Sequence, residues 1–218
     1  MEKYYFLKQN YGKRVFVVVL IASLLLSMLT PFMSEKAYAA SDDIGVGTKV
    51  KLTHSHQIRY GTGINGLSNL MKATGIDDSL GDRYVFCTQP HMPAPPNGNY
   101  TIDKMYTGDT GEAQMMRKLV YYCKGYPGWS KGKALWFSDG KWSDDDIYGI
   151  VHIALSYVTA GYSDSMKAYD GGTVKASMYA DNWAKMKEMI EDCKSDEKVP
   201  DPPAGFKVFY IKNSGYQN

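Results

Sequence analysis

The chain has 218 residues, of which 44% are hydrophobic and 13% aromatic, with 25 basic against 23 acidic side chains. It is long enough to bury a real core, and the near-neutral balance with no basic cluster argues against nucleic acid as a partner.

Residues 1–39 have the three-part layout of an export signal. Lys3, Lys8, Lys13 and Arg14 precede an almost unbroken apolar run from Val15 to Leu29, Pro31 breaks any helix, and Ala37-Tyr38-Ala39 sets small residues two apart. The apolar run spans about 15 residues, short of the roughly 20 that cross a bilayer comfortably, so a signal peptide cleaved after Ala39 is expected rather than a retained anchor. Removing it leaves 179 residues with 20 basic and 21 acidic side chains. Residues 40–218 are then expected to form a single module. The membrane is a partner only during export.

A strand is expected near residue 50, where Val50 and Leu52 alternate with Lys49, Lys51 and Thr53. His54 and His56 follow on one face of the same extended segment. They could share a metal, but no third ligand is nearby, so they are read as solvent-exposed histidines and no metal or cofactor is expected. Gly61 to Gly66 lacks the spacing of a phosphate-binding loop. Tyr84-Val85-Phe86 reads as a short strand that delivers Cys87 to the mouth of a loop. That loop, Pro90 to Asn99, carries four prolines and can be neither helix nor central strand.

Three helices are expected next. The first is capped by Thr110 and runs to about Cys123, with Met115, Met116, Leu119, Val120 and Cys123 on one stripe. The second opens on Ser143 followed by Asp144, Asp145 and Asp146, and buries Ile147, Ile150, Val151, Ala154, Leu155 and Val158. His152 sits at the edge of that stripe, one turn after Tyr148 and one before Ser156. The third spans roughly Val174 to Cys193, with Tyr179, Trp183, Met186, Ile190 and Cys193 inward. A proline-rich connector from Lys198 to Gly205 leads to a last strand, Lys207 to Ile211. Strands at both ends around a helical middle define an α+β fold, with the strands forming a sandwich- or barrel-like sheet.

Outside the cell thiols tend to be oxidised, and three cysteines leave at least one unpaired. Cys123 and Cys193 suit either packing or a mutual disulfide. Cys87, at the end of a strand, is the one placed for chemistry.

The order of segments resembles the thioester domains at the tips of Gram-positive surface adhesins and pili. The resemblance runs from about Val46 to Gln217. It rests on Tyr84-Val85-Phe86-Cys87 leading to Pro95-Pro96-Asn97-Gly98-Asn99-Tyr100-Thr101, on Leu119-Val120-Tyr121-Tyr122-Cys123-Lys124-Gly125-Tyr126-Pro127, on Ile147-Tyr148-Gly149-Ile150-Val151-His152-Ile153-Ala154, and on Phe209-Tyr210 with Tyr216-Gln217. It implies a surface module in which Cys87 would form an internal thioester with a glutamine on the helix and capture amines of a host surface. It also implies that the chain is the N-terminal part of a longer surface protein.

Here the expected Thr-Gln pair is Val151-His152, and an imidazole cannot lose ammonia to a thiol. Gln89 is a conceivable partner for Cys87 through a tight turn, whereas Gln57, Gln114 and Gln217 are not at matching positions. The leading expectation is therefore a secreted or surface adhesin module that binds host or matrix protein by surface contacts, with covalent capture absent or altered. The proline-rich loop and the aromatic-rich stretch from Tyr121 to Trp142 are the expected contact surfaces. A second reading makes Cys87 and His152 the nucleophile and base of a thiol-dependent acyl-transfer enzyme. A third makes the domain a structural pilus or wall spacer.

Overall fold

The computed structural model describes residues 45–59, 67–74, 83–89, 92–167, 173–175 and 180–211. The expected export signal, the segment Gly61–Gly66, Pro90, His91, Tyr179 and the Tyr216-Gln217 pair lie outside them. All described residues belong to one compact unit, Ala39–Asn218.

Alternating apolar and polar residues build the sheet from strands β1 (Lys49–Arg59), β2 (Leu67–Thr74), β3 (Arg83–Val85), β4 (Gly98–Tyr106) and β7 (Val208–Ile211), in the order β3-β2-β1-β4-β7. Every pairing is antiparallel. The sheet curls into a half-barrel. Its alternation puts Phe209 and Ile211 against Val50 and Ile102, while Val208 and Tyr210 face the helices. A register shift between His54 and Gln57 marks a bulge in β1. Strands β5 (Ser165–Lys167) and β6 (Thr173–Lys175) form a separate two-stranded sheet.

Between the barrel strands lie helices α1 (Gly111–Tyr121), α2 (Trp129–Trp136), α3 (Asp144–Thr159) and α4 (Ala180–Cys193). The α+β arrangement with strands at both ends is thus as expected, with one helix more. Helix α2 follows only eight residues after α1, in a stretch whose aromatic residues carry no clear helical period. The third expected helix also starts later: Thr173–Lys175 is strand β6, and the helix begins at Ala180. Helix α3 is the best defined by its own sequence. Ser143 Oγ accepts from the Asp146 N–H at 3.2 Å and the Asp146 carboxylate accepts from the Ser143 N–H at 3.0 Å, a capping box with three acids at the positive end of the dipole. It ends at Gly161, whose φ of 76° lets the chain reverse.

The main core gathers Met116, Leu119, Ile150, Ala154, Met186 and Met189 from three helices, all nearly inaccessible to solvent. Tyr122, Trp136 and Phe137 are buried in it as well. The aromatic-rich stretch from Tyr121 to Trp142 is therefore partly core, leaving Tyr121, Tyr126, Trp129 and Trp142 half-buried.

Helix α2 packs this closely because residue 132 has no side chain. A methyl group there would run into the Tyr122 backbone carbonyl. Gly132→Ala is accordingly expected to cost about 3 kcal/mol, the upper end of overpacking penalties, because backbone cannot rotate out of the way as a side chain can. A urea midpoint equal to the wild type's would show that α2 shifts freely on α1.

Candidate functional site

Strand β3 ends after three residues, and beyond its ladder with β2 the chain continues as Phe86, Cys87 and Thr88. Side-chain hydroxyls bond the carbonyls of this stretch, from Tyr84 and Val85 within the ladder to Cys87 beyond it. The Tyr126 hydroxyl donates to the Tyr84 carbonyl at 2.6 Å, and that of Tyr148 donates to the Val85 carbonyl, with the Asn69 carbonyl 3.2 Å away. Ser156 Oγ donates to the Cys87 carbonyl at 3.1 Å, and Thr159 Oγ1 lies 3.1 Å from the Thr88 carbonyl. Three of these donors belong to α3.

Positions 148, 152, 156 and 159 fall on one face of a helix with 3.6 residues per turn. Because Tyr148, Ser156 and Thr159 all reach the Val85–Thr88 segment, that face lies along it, and His152 occupies the middle. The Tyr148 ring stacks on Phe86 at 4.8 Å and meets the His152 ring edge-on at 5.8 Å. The segment that carries Cys87 and the helix that carries His152 therefore line one seam. Cys87 and His152 are each 1% exposed.

Burial sets the electrostatics. It raises the Cys87 thiol far above its ordinary value and lowers His152 from 6.5 to about 3. Both groups are neutral at physiological pH. A thiolate–imidazolium pair needs the two shifts to run the other way, so the resting site lacks the activated nucleophile that thiol-dependent acyl transfer requires.

A neutral buried imidazole also fixes a pH dependence. The unfolded chain takes up a proton below about 6.5 and the folded chain does not until about 3, so stability is complete above the higher value and falls as pH drops through this window. At pH 5 the loss from this one group is about 2 kcal/mol. His152→Leu is expected to remove that share of the acid sensitivity, seen as a smaller difference in urea midpoint between pH 7 and pH 5. An unchanged difference would mean that the folded state accommodates the imidazolium.

The other sequence candidates fall elsewhere. Gln89 is half-buried, and its backbone carbonyl accepts from the Met92 N–H at 3.0 Å. Cys123 and Cys193 are packed in the helical core as free thiols. His54 is not solvent-exposed as expected. Its Nε2 donates to the Pro95 carbonyl at 2.6 Å and its backbone N–H donates to Asn97 Oδ1 at 2.7 Å, which ties the proline-rich loop to the β1 bulge. His56 is exposed and pairs with Asp145 on α3 at 2.9 Å. Reading by sequence missed the hydroxyl row. Its one local signal is Tyr148, Ser156 and Thr159 recurring on a single face of an otherwise apolar helix.

A short strand thus leads a buried cysteine onto one face of a capped helix. A family model described as a thioester domain matches residues 49–200, about 70% of the chain, and the protein belongs to that family. No curated protein and no solved structure matches it.

Proposed function

We propose that this domain is the adhesive module of an exported surface protein, released by cleavage near Ala39. It docks on a host or extracellular-matrix protein without capturing it covalently. Membership of the thioester domain family supports an adhesin-type module that meets a protein partner. The observation that carries the non-covalent part is the residue across the seam from Cys87. His152 holds the place on α3 where the family resemblance calls for glutamine, and it has no carboxamide to exchange.

The exposed Pro96 and Asn97, at the tip of the loop pinned by His54, and the half-buried Tyr121, Tyr126, Trp129 and Trp142 offer contact surface of the kind protein partners use. Among the described residues no helix is long and apolar enough to cross a membrane.

The test is the intact mass of residues 40–218, prepared without reductant, beside Cys87→Ala. The proposal expects a wild-type mass equal to the sequence mass and unchanged by methylamine. A wild type lighter by one ammonia, regained as methylamine adduct and absent from Cys87→Ala, would overturn it and point to Gln89 or another glutamine as the partner.

A further inference from the structure

The anchorage of Cys87 differs in kind from that of the other two cysteines. Cys123 and Cys193 belong to the large helical core, so reaching either thiol means taking apart the packing of α1, α3 and α4. Cys87 is as deeply buried, but it lies past the end of the β3–β2 ladder. Its segment is held to α3 by hydroxyl-to-carbonyl bonds from Tyr148 and Ser156, and Thr159 Oγ1 divides its single proton between the Thr88 carbonyl at 3.1 Å and the Leu155 carbonyl of its own helix at 3.0 Å. Neutral bonds of this type each contribute little in net terms, and an edge segment held by a few of them sits at the low end of local stability.

We propose that this row of hydroxyls is a latch: Tyr148, Ser156 and Thr159 are positioning residues that seal Cys87, and the thiol becomes reachable when the Val85–Thr88 segment parts from α3 while the rest of the domain stays folded. The latch acts on the backbone carbonyls rather than on the sulfur, so it operates whatever the sulfur is bonded to. It rests on the reading of the α3 seam as the functional site, and adds to it a control on access.

The three buried thiols are built-in reporters. Under native conditions with iodoacetamide, the sulfur of an exposed cysteine displaces iodide, an S–C bond forms, and the thiol proton passes to the buffer. Site-resolved peptide mapping gives a rate for each cysteine. The latch predicts that Cys87 in the wild type is alkylated at least about tenfold faster than Cys123 and Cys193. Ser156→Ala and Tyr148→Phe should each raise the Cys87 rate roughly five- to tenfold, as expected for loss of one hydrogen bond, and leave the other two rates where they were. Tyr148→Phe keeps the ring stack on Phe86, so it remains informative if Ser156→Ala fails to fold. Rates that rise together at all three cysteines mean global unfolding and overturn the latch, as does a Cys87 rate indifferent to both substitutions. If Cys87 resists alkylation even in denaturant, the sulfur is already acylated. That outcome contradicts the proposed absence of the cross-link, and the latch is then read from the same variants as a five- to tenfold faster uptake of methylamine.

Discussion

Replacing His152 with glutamine is expected to yield a protein lighter by one ammonia than its sequence mass, a loss reversed by methylamine and absent when Cys87→Ala is combined with it. The argument is geometric. Tyr148 and Ser156, one turn to either side of residue 152, reach the carbonyls of Val85 and Cys87, so position 152 lies along the Phe86–Cys87 stretch between those carbonyls. With a carboxamide there, the Cys87 sulfur attacks the side-chain carbon, the C–N bond breaks, and ammonia leaves with the thiol proton. Proximity supplies what the unactivated thiol lacks, since well-oriented intramolecular reactions reach effective molarities of about 10⁵ M and above. Burial at 1% exposure would then protect the product from water. The wild type serves as the negative control. An unshifted mass for His152→Gln, in a protein that still melts cooperatively, would mean that the seam no longer holds the two side chains in reacting geometry. The proposed absence of covalent capture would then involve more than one residue.

The second large effect is expected far from the seam, at Arg117. This side chain is fully buried, an uncommon state for a guanidinium. It is fully engaged there. Nε donates to the Phe206 carbonyl at 3.0 Å, Nη2 to the Pro203 carbonyl at 2.9 Å and the Pro202 carbonyl at 3.2 Å, and Nη1 to the Gly108 carbonyl at 3.3 Å and the Asp109 carboxylate. One side chain thereby clamps the proline-rich connector onto α1 and fixes the approach to β7. Its neighbour Lys118, equally buried, adds bonds to the Cys193 carbonyl at 3.0 Å and to Asp196 at 2.5 Å. Arg117→Ala takes the guanidinium donors from the buried Phe206 and Pro202 carbonyls and leaves a cavity where the guanidinium lay, and is expected to cost about 3–5 kcal/mol. Arg117→Lys should recover only part of this, because a point-like ammonium cannot reproduce a planar fork. Urea unfolding measures the loss, and amide exchange locates it. Residues 208–211 should lose protection first if the clamp holds β7 in place. A loss under about 1 kcal/mol would show that the connector docks through its prolines alone.

Much of the fold was legible because its signals are local. The capping box of Ser143 and Asp146 and the apolar stripe of α3 are written within sixteen consecutive residues, and the alternation about Val50 marks β1 in the same way. The family resemblance likewise lives in short runs, and it led to Cys87 and position 152 together. Elements without a local period were missed. Strands β2 and β4 and the β5–β6 pair were not anticipated, and α2 depends on Gly132 meeting the backbone carbonyl of Tyr122, at the C-cap of α1.

The sequence by itself determined the α+β class, the strand that leads to Cys87 and the capped helix beside it, and it puts a histidine where the family resemblance calls for glutamine. Only the tertiary structure decided which polar groups are buried and what they hold. Arg117 and Lys118 follow Met115 and Met116 in a helix where charge normally marks the solvent face, yet the connector crosses above them and both are sealed in. The hydroxyls of Tyr148, Ser156 and Thr159 meet partners 63 to 71 residues away. A polar side chain carries no sign of whether water or a distant carbonyl will take its hydrogen bond. That choice is made when the chain closes on itself, because burying an unpartnered polar group costs more than the bond returns.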